Sequence, residues 1–286
     1  MAQYSGIFTL SQASQAIKDN NWTGLPPQNV EYLIVAGGGG GSYAGAAGSG
    51  GGGLLAGFSG VTTGTQLWVT VGAGGVAAST NGVGASGGNS VLIATSSAAV
   101  TGNIVALGGG GGGYISGGAS SGGSGGGGGF NGATNVTASG SGTSGQGNSG
   151  GAGFASAGGG GGGGGAGTVG LNGITSVGGN GGAGIASAIS GTVTTYAGGS
   201  GGYGNVTLGA GGVGGGGAPH IAGTVNTGGA GGPYDGSAAA NGGSGIVILR
   251  YPDTFIAATS TTGSPTITVA GGFRVYQFTA SGSITF

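Results

Sequence analysis

Glycine occupies 89 of the 286 positions in this chain, and no other feature limits so sharply what it can fold into. Each glycine that becomes ordered loses roughly 0.5–1 kcal/mol more than an alanine would. A collective interaction has to offset that loss. The middle of the sequence is poor in large apolar side chains, so the offset points to dense backbone hydrogen bonding between segments that approach closely where no Cβ intervenes. Collagen is excluded, because the glycines keep no strict every-third register and there are only six prolines. Disorder driven by charge is excluded too: the net charge is −1 and the mean hydropathy +0.28.

Charge divides the chain. Lys18, Asp19 and Glu31 stand at the front and Arg250, Asp253 and Arg274 at the back, leaving Asp235 as the one charged residue between Tyr32 and Leu249. Residues 1–29 read as ordinary protein. Thr9-Leu10-Ser11-Gln12 matches a capping box, and Leu10, Ala13 and Ile17 share one helical face. A short helix over about 10–19 is predicted, followed by the stiff connector Gly24-Leu25-Pro26-Pro27. This segment reads either as an attachment peptide, with Phe8, Leu10, Ile17 and Trp22 as its docking residues, or as a cap on the fold that follows.

Residues 30–107 predict a small β framework, with strands at 30–36, 66–71, 90–95 and 103–107. The runs 30–36 and 245–251 are continuously apolar and bounded by glycine, as buried strands are, and are expected to pair or stack. Residues 108–251 form the glycine-rich part, closed by the strand at 245–251. Residues 252–286 read as a β meander with turns at Gly271-Gly272 and Gly282. The fold class expected is therefore mainly β with a polyglycine II helix bundle, a short N-terminal helix, a small β framework and a C-terminal β meander.

The glycine tracts 108–113, 125–129, 158–165 and 214–217 could be flexible linkers. Linkers, however, lack embedded hydrophobes, whereas these tracts are repeatedly closed by residues such as Tyr114, Phe130, Tyr203 and Tyr234. That punctuation favours extended helices of three residues per turn, bonded to one another; at about 3.1 Å per residue the run of eight glycines would span roughly 25 Å. Rings at the ends of such a bundle, Tyr114, Phe130, Phe154, Tyr203 and Tyr234, together with the loop residue His220, are the candidate receptor contacts. The alternative is that the rings merely plug the bundle ends.

Chemistry finds few footholds. A G-x-G-x-x-G pattern after residue 35 carries no weight at this glycine content, since no helix can start behind it and no acidic residue stands about 20 positions on. A Walker loop has no lysine beyond Lys18. His220 and Asp235 form the sole central acid–base pair and lack any supporting motif. No catalytic residue, cofactor site or metal site is expected, and three basic residues against four acidic ones argue against nucleic acid. The sequons at Asn21, Asn135 and Asn205 read as chance, and neither a secretory signal nor a membrane span is evident, so no membrane insertion is expected.

The succession VEYLIVAGGGGG (30–41), QLWVTVGAGG (66–75), GASGGNSVLIAT (84–95), ALGGGGGG (106–113) and GGSGIVILRYP (242–252) resembles the glycine-rich domain of bacteriophage tail-fibre and other virion proteins, especially of marine phages. The ending GGFRVYQFTASGSITF (271–286) resembles the motif that accompanies it, and GIFTLSQASQAIKDNNW (6–22) is similar to a segment of phage structural proteins. The tracts from 108 to 244 resemble the polyglycine II sandwich of T-even-type tail-tip adhesins, whose end loops bind the host receptor. The resemblance implies a non-enzymatic virion protein, made in the host cytoplasm and displayed on the particle exterior. Its expected partners are other virion proteins through the N-terminus, and a host surface glycan or outer-membrane protein at the far loops. With 2% charged residues, a homo-oligomer, most simply a trimer, is expected. The rival readings are a head-fibre, decoration or self-assembling filament protein without a receptor role, and, with less support because no regular threonine array is present, an ice-binding protein.

Overall fold

The computed structural model describes residues 9–18, 25–44, 47–94, 102–115, 117–131, 135–155, 158–234 and 236–286. A single helix, α1 (Leu10–Lys18), opens the described chain. Its predicted capping box is present: the Thr9 amide donates to Gln12 Oε1 at 3.0 Å, and the Gln12 amide to Thr9 Oγ1 at 3.4 Å. The rest is β structure and glycine-rich segments.

One five-stranded sheet has the order β12-β13-β10-β1-β2, formed from β1 (Asn29–Val35), β2 (Leu54–Gly60), β10 (Ile246–Pro252), β12 (Thr266–Ala270) and β13 (Phe273–Phe278). The second has the order β11-β14-β3-β4-β5, formed from β3 (Gln66–Thr70), β4 (Ser90–Ala94), β5 (Ile104–Ala106), β11 (Ser260–Thr262) and β14 (Gly282–Thr285). Two hairpins, β6 (Phe130–Asn131) with β7 (Asn135–Val136) and β8 (Ile185–Ser187) with β9 (Thr194–Tyr196), lie in the glycine-rich region. The expected pairing of the two apolar runs is antiparallel, with Leu33 opposite Ile248.

Both runs are apolar at every position because both faces of their sheet are covered. Val30 and Ile34 of β1, with Val247, Leu249 and Tyr251 of β10, point into a core shared with Leu67, Leu92 and Ile284 of the second sheet. The alternate residues Leu33, Val35, Ile246 and Ile248 pack instead against Ala166, Ile189, Tyr196 and Ala197 of the glycine-rich region. A period of two, buried on both sides, gives an unbroken apolar run.

The C-terminal part departs from a simple meander. β12 and β13 form a hairpin on Gly271 and Gly272, both at positive φ, as a two-residue hairpin turn requires. The next strand, β14, does not return to β13; it pairs with β3 and β11 in the other sheet. Ile284 and Phe286 thereby reach the core between the sheets. The sequence division at residue 29 shifts as well. Leu25 packs on that core, its carbonyl accepts from the Ile256 amide at 3.1 Å, and the Gln28 carbonyl accepts from the Val61 amide at 2.9 Å.

A buried tyrosine pair gives this weakly charged fold a pH dependence. Tyr251 donates its hydroxyl to the Ile256 carbonyl at 3.1 Å and lies 3.0 Å from the Tyr276 hydroxyl, which accepts from the Ala258 amide at 3.0 Å. Burial first, and the Tyr276 hydrogen bond second, push the Tyr251 hydroxyl far above the ordinary tyrosine range. An unfolded chain ionises tyrosine near pH ~10. Stability is therefore complete below that pH and falls as pH rises above it, by up to about 1.4 kcal/mol per unit for this group. Urea midpoints measured from pH 8 to 11.5 should be flat and then decline, and Tyr251→Phe should flatten the decline; an unchanged slope in that variant would refute the assignment.

The glycine segments grow out of the strands. β1 continues into Gly37–Gly41, β3 into 72–78 and β5 into 107–113, while 50–53, 84–89 and 240–245 lead into β2, β4 and β10. Antiparallel pairing of β1 with β2 and β10, and of β4 with β3 and β5, brings these six junctions to one end of the two sheets. The glycine architecture therefore begins at residue 37 and not at 108.

Its hydrogen bonds repeat every third residue. Gly37 and Gly40 donate to Gly88 and Ala85, Gly38 and Gly41 to Gly243 and Ala240, and Gly39 to Gly50. The carbonyls of Gly38 and Gly41 accept from Gly75 and Ala78, those of Gly37 and Gly40 from Gly109 and Gly112, and that of Gly39 from Gly231. This segment is thus ringed by other segments, each met once per three residues. The same step recurs where Gly160, Gly163 and Ala166 donate to Tyr203, Ser200 and Ala197, and where Gly178, Gly181 and Gly184 donate to Thr207, Ala210 and Val213. Spacing this close excludes side chains: a Cβ at Gly111 would stand 1.8 Å from the Gly84 carbonyl oxygen.

Candidate functional site

The direction of these bonds shows how the segments run. Falling acceptor numbers mark antiparallel neighbours and rising ones parallel neighbours, and together they trace a chain that passes repeatedly away from the sheets and back. Every second turn therefore lies at the end remote from the sheets. Those turns lie near residues 43, 80, 115, 130–136, 155, 175, 205, 220 and 234.

All six candidate contact residues fall on them. Phe130 and Tyr203 stack with ring centroids 6.4 Å apart, and a Cβ at the neighbouring Gly158 would lie 3.1 Å from the Phe130 ring. Phe154 is 36% exposed beside them, its amide donating to Gly159 at 2.7 Å. Tyr234 packs on Tyr43 at 4.2 Å, and its amide donates to the Ser42 carbonyl at 2.9 Å. His220 is exposed at φ 56° and donates its amide to the Pro233 carbonyl at 2.8 Å, which places it next to that pair. Tyr114 is half-buried in a tight turn closed by reciprocal bonds with Gly117.

The rings thus fall into two groups, Phe130/Tyr203 with Phe154 and Tyr43/Tyr234 with His220. Half-burial holds Phe130, Tyr203, Tyr43 and Tyr234 in place while leaving part of each ring accessible. Exposed apolar residues extend the surface around them: Val136, Ile174, Val206 and Ile221 lie in the same turns. Sequence reasoning missed Tyr43, although it follows Gly37–Gly41 as the other rings follow their tracts. Asp235 lies outside the described residues, and no other acidic or basic side chain apart from His220 belongs to these turns. Such a surface can stack on a sugar face or meet an apolar protein loop.

The attachment candidates can be followed only in part. β1 begins at Asn29, at the end of the sheets remote from the glycine segments. Leu10 is 89% exposed on the helix. Phe8 and Trp22 lie outside the described residues, as does the side chain of Ile17. Among the described residues no group of three or more His, Cys, Asp or Glu side chains could hold a metal ion, and no helix is long and apolar enough to cross a membrane.

Comparison with known families finds that residues 14–252 match a glycine-rich domain. No curated protein and no solved structure matches the chain.

Proposed function

The chain belongs to the glycine-rich domain family, and from that premise we propose that it is a non-enzymatic virion structural protein, a tail-fibre or adhesin subunit. In this reading the glycine segments are a polyglycine II bundle, the α1 region docks to other virion proteins, and the remote turns contact a glycan or outer-membrane protein on the host surface. The observation that carries the reading is polarity. The chain enters β1 at Asn29, at the end of the sheets opposite the aromatic turns, so an almost uncharged body has its N-terminal approach at one end and its exposed rings at the other, as a displayed protein with a mounting end and a contact end requires.

Adsorption measures the contact end. Purified protein should compete with intact particles for host cells, and the triple variant Tyr43→Ala, Phe154→Ala, Tyr203→Ala should compete at least tenfold less well while remaining folded. Particles that lack the protein yet adsorb at the normal rate would instead make it a head-fibre or decoration protein. The mounting end has its own test. Removing residues 1–24, which stops short of Leu25 and its core contacts, should leave a folded body that no longer enters particles; normal incorporation would end the attachment role.

A further inference from the structure

Edge strands expose a row of unpaired backbone donors and acceptors, and folded proteins usually shield them with charge, proline, brevity or a covering segment. Three of the four edges of the two large sheets are shielded. β5 and β11 are three residues long, and β5 is also covered by Gln146, whose Nε2 donates to the Val105 carbonyl at 3.0 Å. β2 contains Gly57, and its outer edge is met by the Gln146 carbonyl, which accepts from the Leu54 amide at 3.0 Å.

β12 differs. Its five residues, Thr266-Ile267-Thr268-Val269-Ala270, carry no charge and no proline, and all five are exposed. Its one hydrogen-bonded neighbour among the described residues is β13. Four of the five residues are β-branched, the type that most favours an extended conformation. Ile267 is 48% and Val269 52% exposed on the same face.

We propose that the free edge of β12 binds the β12 edge of a second copy of this chain, antiparallel about a twofold axis at Thr268. The sequence is self-complementary in that arrangement. Thr268 meets Thr268, Ile267 meets Val269, and Thr266 meets Ala270, so threonine pairs with threonine and branched aliphatic with branched aliphatic, with no like charges opposed. The two five-stranded sheets become one continuous ten-stranded sheet. A twofold contact of this kind is isologous and closed, and it joins copies in pairs, whereas the trimer expected from the sequence requires a different surface. The inference is independent of what the aromatic turns bind.

The test uses the full chain, whose lack of cysteine makes any introduced thiol unique. Light scattering should give wild-type protein twice the 25.4 kDa chain mass. Thr268→Lys, which opposes two cations at the axis, should give the single chain mass while its circular dichroism stays that of the folded chain, since the site is exposed. Mixing Thr268→Lys with Thr268→Asp should restore the double mass. Directly opposed residues of an antiparallel pair lie within disulfide range, so Thr268→Cys should form a covalent pair under mild oxidation. A wild-type chain that is monomeric or trimeric, or a Thr268→Lys variant that keeps its partner, would overturn the proposal.

Discussion

Gly163→Ala should remove a large share of the stability of this protein, although it adds a single methyl group. A Cβ at residue 163 would stand 1.8 Å from the Ser49 carbonyl oxygen. That oxygen cannot retreat easily: the Ser49 amide donates to Ser200 Oγ at 2.7 Å and the Ser49 hydroxyl to the Gly39 carbonyl at 3.0 Å. Gly163 is held as firmly, donating to the Ser200 carbonyl at 2.9 Å and accepting from the Gly182 amide at 2.8 Å. Relief requires the segments to part, at about 1–3 kcal/mol for overpacking and about 1 kcal/mol for each hydrogen bond lost. A total on the order of 3–6 kcal/mol is a large share of the ~5–15 kcal/mol that holds a typical domain together. The melting temperature should fall by on the order of 10 °C or more. Val213→Ala, on the surface of the same region, should stay within about 0.5 kcal/mol of wild type. Equal melting of Gly163→Ala and wild type would mean that the segments do not approach as described.

Ile248→Ala should come next in severity and tests a different joint. Ile248 is fully buried in β10 and faces Ile189, Tyr196 and the alanines of the glycine-rich region, not the second sheet. Truncation of a buried isoleucine costs roughly 2–5 kcal/mol. Because that side chain belongs to the seam between sheet and glycine segments, the expected result is one cooperative transition moved to lower temperature. Calorimetry that resolves two transitions, only one of them shifted, would show that the sheets and the glycine segments are held separately.

Much of this fold was legible in local chemistry. The Thr9–Gln12 capping box marked the helix start, and the unbroken apolar runs at 30–36 and 245–251 marked strands covered on both faces. β2 escaped notice because Gly57 and Gly60 dilute its pattern; Gly57 is there because a Cβ would lie 2.7 Å from the Tyr32 hydroxyl. The destination of β14 was equally hidden, since nothing in a short strand after a glycine turn says which sheet it joins. The glycines at 37–41 fall by sequence within the β framework of 30–107, yet they are surrounded by other segments in the same way as those at 161–165. Composition alone cannot distinguish a glycine that permits a bend from one that permits a neighbour.

The candidate site was legible by one rule, an aromatic residue closing a glycine tract, and that rule also fits Tyr43. What the sequence could not supply was the pairing of Phe130 with Tyr203 and of Tyr43 with Tyr234, because each pair joins turns separated by many passes of the chain. Side chains that fasten neighbouring segments were also beyond reach. Asn172, Asn180 and Asn241 accept from the amides of Ala152, Ala210 and Ala77, each at 2.8 Å, and a lone asparagine among glycines carries no mark of that role.

The central claim is that glycine is the structural material of this protein and not a spacer between structured parts. Amide hydrogen exchange measures it most directly, because protection reports whether a backbone N–H is held in a stable hydrogen bond. The amides of Gly37–Gly41, of Gly109, Gly110, Gly112 and Gly113, and of Gly161–Gly165 should exchange as slowly as those of Leu33 in β1 and Ile248 in β10. Exchange of these glycines at the rate of an unstructured chain, with the strands alone protected, would contradict the account.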